Sequence, residues 1–76
     1  MSGALHQVRP REVAKVALGL GFEFRRQSGS HAIYKRRADG KRVVISIHSG
    51  VVKPGTLHAI IRDMGIGPEE FLRLVK

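Results

Sequence analysis

Apolar residues recur with a helical period in three segments of the chain. In the first segment, four of them share one face at the spacing i, i+3, i+4 and i+7: Val13, Val16, Ala17 and Leu20. Pro10 suits the first turn of a helix, and Gly21 suits the left-handed residue that often follows a helix end. The pattern therefore predicts a helix over residues 10 to about 20.

The other two helical segments lie in the C-terminal third of the chain. One has apolar residues at positions 57, 60, 61 and 64, and Gly65 ends it. The last opens at Pro68, followed by Glu69 and Glu70, whose charges favour the positive end of a helix dipole. Its apolar positions are 71, 74 and 75. We expect a helix and then a short extra C-terminal helical turn.

Between the first two helices the apolar period changes to two, which is typical of strands with one buried face. Three strands are predicted, over residues 22–26, 31–37 and 42–47. A Ser-Gly-Ser turn at 28–30 joins the first two strands, and an Asp-Gly turn at 38–41 joins the second to the third. Short turns of this kind predict an antiparallel meander.

Together these elements predict a single α+β domain over residues 1–76, with residues 1–9 as a loose leader. Its order is α-β-β-β-α, and the helices cover one face of a three-stranded antiparallel sheet. The period leaves the buried face of the middle strand open, because either Ala32 and Tyr34 or Ile33 could face the core.

The charge of the chain is strongly positive. Fourteen Lys and Arg residues stand against six Asp and Glu, for a net charge of +8, and seven of the fourteen lie between Arg25 and Arg42. This clustering favours a polyanionic partner, nucleic acid or an acidic protein, over a merely solvated surface. The absence of cysteine and of any long apolar run fits a soluble cytoplasmic protein without a membrane segment.

His31 is the residue best suited to acid–base chemistry near neutral pH. RNA carries its own nucleophile, the 2′-hydroxyl, so a ribonuclease needs mainly proton transfer and stabilisation of charge at phosphorus. We expect nearby RNA contacts from four residues: Arg26, Ser30, Lys35 and Arg36. Most single histidines are structural, however, and residue chemistry alone favours a histidine that only begins a strand.

Two further places could contact phosphate. Lys53 precedes a Gly-Thr pair that enters the second helix, where free backbone N–H groups and Thr56 could bind an anion. Ordinary helix capping by Thr56 or Gly55 explains the same residues. His48, at the end of the third strand, is either a helper in acid–base chemistry or a solvated loop residue.

Several kinds of site are excluded by their residue requirements. The chain has no complete dinucleotide or nucleotide-binding glycine motif, and its six acidic residues show no paired spacing for a two-metal nuclease. Any hydrolysis is therefore expected to need neither metal nor cofactor. With one Tyr, three Phe and no Trp, base stacking cannot be the main source of RNA affinity.

Four pieces of the sequence together resemble the HicA family of toxins from bacterial toxin–antitoxin systems. They are the segment 21–31 ending in Gly-Ser-His, the pair 47–48, the Lys-Pro-Gly-Thr-Leu run at 53–57, and Glu-Glu-Phe-Leu at 69–72. The resemblance covers nearly the whole chain from Pro10 to Val75. One position departs from it, because the family often has Pro where this chain has Ser46.

The resemblance implies a fold like that of double-stranded-RNA-binding domains. It also implies a type II toxin that acts as a metal-independent mRNA interferase, cleaving mRNA and blocking translation, with His31 as the catalytic residue. A cognate HicB-like antitoxin would bind the toxin and cover the active site, and a +8 surface suits an acidic inhibitor. The free toxin is expected to be a monomer. The alternative is a non-catalytic module that binds double-stranded RNA by shape.

Overall fold

The computed structural model describes residues 7–47 and 50–75. Three helices and three strands follow one another along the chain: α1 (Pro10–Gly19), β1 (Glu23–Ser28), β2 (His31–Lys35), β3 (Arg42–Ser46), α2 (Pro54–Met64) and α3 (Pro68–Val75). The predicted α+β class and the order resembling a double-stranded-RNA-binding domain are confirmed. The predicted C-terminal turn is a helix of eight residues.

Helix α1 begins and ends as its sequence predicts. At its start the Glu12 carboxylate accepts the backbone N–H of Arg9 at 2.8 Å. At its end Gly21 has a φ of 93°. The N–H groups of Gly21 and Phe22 donate to the carbonyl oxygens of Leu18 and Ala17, at 3.1 and 3.0 Å. This pair of bonds is the Schellman arrangement, which satisfies the last carbonyls of the helix.

The sheet has the strand order β1-β2-β3, with both pairs antiparallel. In β2, Ala32 and Tyr34 point toward the helices and are buried, whereas Ile33 lies on the opposite face. This resolves the choice that the sequence left open. Val43 and Ile45 of β3 join the same buried face, so β2 and β3 supply the sheet side of the core.

Strand β1 contributes little to that core. All six of its residues are exposed, and the ring of Phe24 makes an edge contact with the ring of Tyr34, with centroids 5.6 Å apart. The pairing of β1 with β2 shifts register between Phe24 and Arg26. Arg25 is therefore the extra residue of a β-bulge, which bends the strand and increases its twist.

The start of the described chain is packed against the core. Val8 is only 4% exposed, and its carbonyl oxygen accepts the N–H of Val52 at 2.7 Å. The predicted loose leader over residues 1–9 thus does not extend to Val8. The burial of Val8 could not be predicted, because this residue is not part of a periodic apolar pattern. Residues 1–6 lie outside the described part. No helix within that part is long and apolar enough to cross a membrane.

Candidate nucleic-acid interface

His31 is placed by a tight turn between β1 and β2. Only Gly29 and Ser30 separate the two strands, so Ser28, predicted in the turn, is the last residue of β1. Gly29 has a φ of 59°, whereas no non-glycine residue of the described chain has a positive φ. A two-residue loop with positive φ at its first position only is the type II′ pattern, which favours glycine there and matches the twist of paired strands.

His31 lies on the face of the sheet turned away from the helices, which we call the open face. The register arranges its side chains in three rows across the strands: Ser28, His31 and Ser46; Arg26, Ile33 and Val44; Glu23, Lys35 and Arg42. Adjacent rows lie about 7 Å apart, because two strand residues span that length. His31 thus occupies one end of the open face, whose other rows carry cations.

Three cations of the open face are solvent-exposed: Arg26, Lys35 and Arg42. The acid of this face, Glu23, lies 3.9 Å from the guanidinium of Arg25. The predicted Arg26 and Lys35 therefore share a surface with His31. Arg42 was not among the predicted contacts, although the alternation of β3 could have revealed it, since Arg42 and Ser46 alternate with the buried Val43 and Ile45.

Arg36 has a different environment from the one we expected for a phosphate contact. Its Nε and Nη2 donate to the two carboxylate oxygens of Asp39 at 3.1 and 2.9 Å, and its Nη1 donates to the carbonyl oxygen of Leu20 at 2.9 Å. The guanidinium also lies over the ring of Phe22, 4.5 Å from its centroid. These contacts tie the β2–β3 turn to the end of α1, a structural role that local sequence could not show.

The same ion pair changes the protonation of both partners. The hydrogen bond from Arg36, with a smaller contribution from the Lys41 backbone N–H, lowers the pKa of Asp39 from 3.8 to about 2. The hydrogen bond that Arg36 donates to Asp39 raises the pKa of Arg36. Both groups are therefore charged near neutral pH, and the ion pair is present there.

The start of α2 lies next to the His31 row. Lys53 is its N-cap residue and Pro54 its first residue, so the expected capping by Thr56 or Gly55 is not what begins this helix. Lys53 and Thr56 line a cleft of about 230 Å³. Its other lining residues are Ile45, Ser46, Val52 and Ile60. Ser46 belongs both to this cleft and to the His31 row, and it connects the two predicted phosphate-binding places.

The remaining predicted candidates are distributed as follows. Ser30 is exposed in the β1–β2 turn, and its carbonyl oxygen accepts the N–H of Ile47 at 2.6 Å. His48 lies outside the described residues. Within residues 7–47 and 50–75, no three His, Asp or Glu side chains come together in a group able to hold a metal ion. In the same part of the chain, no side-chain hydrogen bond engages His31.

Comparison with protein families identifies the family of the chain. A family model described as HicA toxin of bacterial toxin-antitoxin matches residues 10–66. The chain belongs to the HicA toxin family. The match runs from the first residue of α1 past the end of α2, so it includes the whole open face and the α2 start. No curated protein gives a significant match to this HicA chain.

Proposed function

We propose that this HicA toxin is an endoribonuclease, an mRNA interferase that cleaves mRNA and thereby blocks translation. The observation that supports it best is the position of His31, exposed on the open face in one surface with Arg26, Lys35 and Arg42. An exposed imidazole beside clustered cations offers the proton transfer and the charge stabilisation that RNA cleavage by its own 2′-hydroxyl needs.

In the proposed reaction, one imidazole nitrogen of His31 removes the proton of an RNA 2′-hydroxyl. The 2′-oxygen then bonds to the adjacent phosphorus and the bond from phosphorus to the 5′-oxygen breaks. The leaving 5′-oxygen takes a proton from water, and His31 afterwards returns its proton to solvent. Arg26, one row away, stabilises the negative charge that develops on the phosphoryl oxygens.

The RNA is held mainly through its phosphates. Lys35 and Arg42 lie about 13 Å from His31, two rows away, so they would bind phosphates flanking the cleaved one. Ser30, Lys53 and Thr56 would extend the contacts toward α2. The aromatic side chains of the sheet, Phe24 and Tyr34, face the helix side. Because the open face then lacks a stacking platform, we propose relaxed sequence preference.

The proposed protein partner is a cognate HicB-like antitoxin. An acidic surface on such an inhibitor would complement the open face and exclude RNA from it. Cleavage of mRNA also places the action of the toxin in the cytoplasm. Metal-independence and the monomeric state of the free toxin remain parts of the same proposal.

The proposal is tested by incubating purified protein with mRNA in EDTA and resolving the products on a denaturing gel. We expect cleavage by the parent chain and a loss of about 100-fold or more in His31→Ala, the usual contribution of a general acid or base. His58→Ala is the matched control, since His58 is also exposed but lies on α2. Circular dichroism should show both variants folded.

The same experiment separates the rival function. A non-catalytic double-stranded-RNA-binding module would give no product in any lane, and its salt-dependent binding to duplex RNA would be unchanged in His31→Ala. Equal cleavage by the parent and His31→Ala would contradict the assignment of His31. Expression in bacteria offers a second readout, because growth arrest should disappear with His31→Ala and persist with His58→Ala.

A further inference from the structure

Ser46 and His31 are directly opposed across β2 and β3. The N–H of Ile47 donates to the carbonyl oxygen of Ser30. Ser30 and Ile47, the pair next to His31 and Ser46, are therefore the hydrogen-bonded pair. His31 and Ser46 therefore form a non-hydrogen-bonded pair. In such pairs the Cα atoms are about 4.5 Å apart and the side chains approach most closely.

Ser28 flanks His31 on the other side, but less closely. Ser28 and His31 close the two-residue turn, and residues in that position form the hydrogen-bonded pair of a hairpin. Their Cα atoms are about 5.5 Å apart. Of the two hydroxyls in the His31 row, that of Ser46 is thus the nearer one.

We propose that Ser46 is a positioning residue for His31, an inference that rests on the proposed function. Its hydroxyl oxygen accepts the N–H of one imidazole nitrogen and leaves the other nitrogen, with its lone pair, directed toward RNA. A neutral imidazole has one donor and one acceptor, and the bond made by the first nitrogen decides which tautomer is present. A general base needs the acceptor on the substrate side.

The surroundings of the two residues suit this division of roles. Ser46 is partly buried, and it follows Ile45, which is anchored in the core where β3 packs against α2. His31 is exposed and its ring is not hydrogen-bonded to the described chain. The side chains of a directly opposed pair lie within reach of one another, and catalytic hydrogen bonds commonly tighten when substrate binds.

Nitrogen NMR of the His31 ring tests the pairing without requiring cleavage. Spectra are recorded for the free protein and with a 2′-O-methyl RNA oligonucleotide, which lacks the nucleophile. With the oligonucleotide we expect one dominant tautomer in the parent chain, in Ser46→Thr and in Ser28→Ala, and a mixture in Ser46→Ala. The same tautomer ratio in Ser46→Ala and the parent would overturn the proposal.

Kinetics on cleavable RNA provide the second readout. Loss of one neutral hydrogen bond predicts a decrease in kcat of about three- to tenfold for Ser46→Ala, with KM and melting temperature unchanged. Ser46→Thr should restore kcat, and Ser28→Ala should leave it near the parent value. An equal decrease in Ser28→Ala and Ser46→Ala would contradict a specific role. If the parent chain itself cleaves nothing, the proposed function fails, while the NMR result still decides the pairing.

Discussion

The polar residues at the two ends of β2 differ in how many contacts they make with the rest of the protein. At the first end, His31 follows a turn of small residues and its ring makes no hydrogen bond to the described chain. Just beyond the last end, Arg36 is fixed by the Asp39 carboxylate, the Leu20 carbonyl and the Phe22 ring. Among the described residues no hydrogen bond holds the His31 ring, whereas the contacts of Arg36 join the β2–β3 turn to the end of α1.

Neighbouring cations differ in the same way. Lys35 is the last residue of β2 and projects from the open face, and Arg36, the next residue, turns toward the end of α1. Gly21 lies beside this side chain, since a Cβ atom there would be in van der Waals contact with Cδ of Arg36 at 3.4 Å, and its φ of 93° favours glycine. A guanidinium at the C-terminal end of a helix also meets the negative end of its dipole. The position of each cation along β2, more than its residue type, decides whether it projects from the open face or contacts the end of α1.

The largest expected difference between the two ends is in stability. Arg36→Ala removes a bidentate ion pair, a bond to a part-buried carbonyl and a cation–π contact. We expect its melting temperature to fall by several degrees, measured by circular dichroism. Arg26→Ala is the matched control and should melt within about 3 °C of the parent, since exposed substitutions of this kind usually change stability by no more than about 0.5 kcal/mol. Equal melting temperatures for the two variants would show that the ends do not differ.

RNA binding should show the reverse pattern. In a His31→Ala background, which prevents cleavage, Lys35→Gln should reduce the slope of log affinity against log salt by about 0.7, the value for one phosphate contact on a single strand. Arg36→Gln should leave the slope unchanged, because its guanidinium is already paired with Asp39. Fluorescence anisotropy over a salt series measures both. A smaller slope in Arg36→Gln would place Arg36 among the RNA contacts after all.

The smallest expected effect is a dependence of stability on pH. The pKa of Asp39 is about 2 in the folded protein, below its ordinary value of 3.8. A depressed pKa stabilises the folded state above the ordinary value, and this contribution is lost as the pH falls from about 4 through 2. The melting temperature of the parent should therefore exceed that of Asp39→Asn at pH 5 and approach it near pH 2. A difference that stays constant over this range would contradict the ion-pair contribution.

The local elements of the fold could be predicted because their signals are local. Pro10 and Gly21 bracket α1, and Gly65 ends α2 with a φ of 84°. The position of β1 was harder to predict, because the alternation over 22–26 suggests one buried face through Phe22 and Phe24. In the structure Phe22 precedes the strand and is buried, whereas Phe24 is 52% exposed. The bulge that follows Phe24 depends on pairing with β2, which no local pattern encodes.

The residues of the candidate site also differ in whether local sequence could predict them. His31 and its turn could be singled out from adjacent residues, and so could Arg26 and Lys35. The places of Arg42 and Ser46 beside them required the β2–β3 register. The structural role of Arg36 required the carbonyl of Leu20, sixteen residues away. Side chains that depend on long-range pairing are therefore the part of the site that the sequence could not place.

The exposed edge of β1 has a consequence for how copies of the toxin meet. An unpaired edge strand normally offers its backbone to the sheet of another molecule. Here the bulge at Arg25 interrupts the regular row of donors and acceptors, and a second copy would bring Arg25 and Arg26 against the same cations. Twisted, positively charged edges of this kind resist growth into a continuous sheet. We therefore expect the β1 edge to disfavour strand pairing with a second copy of the toxin.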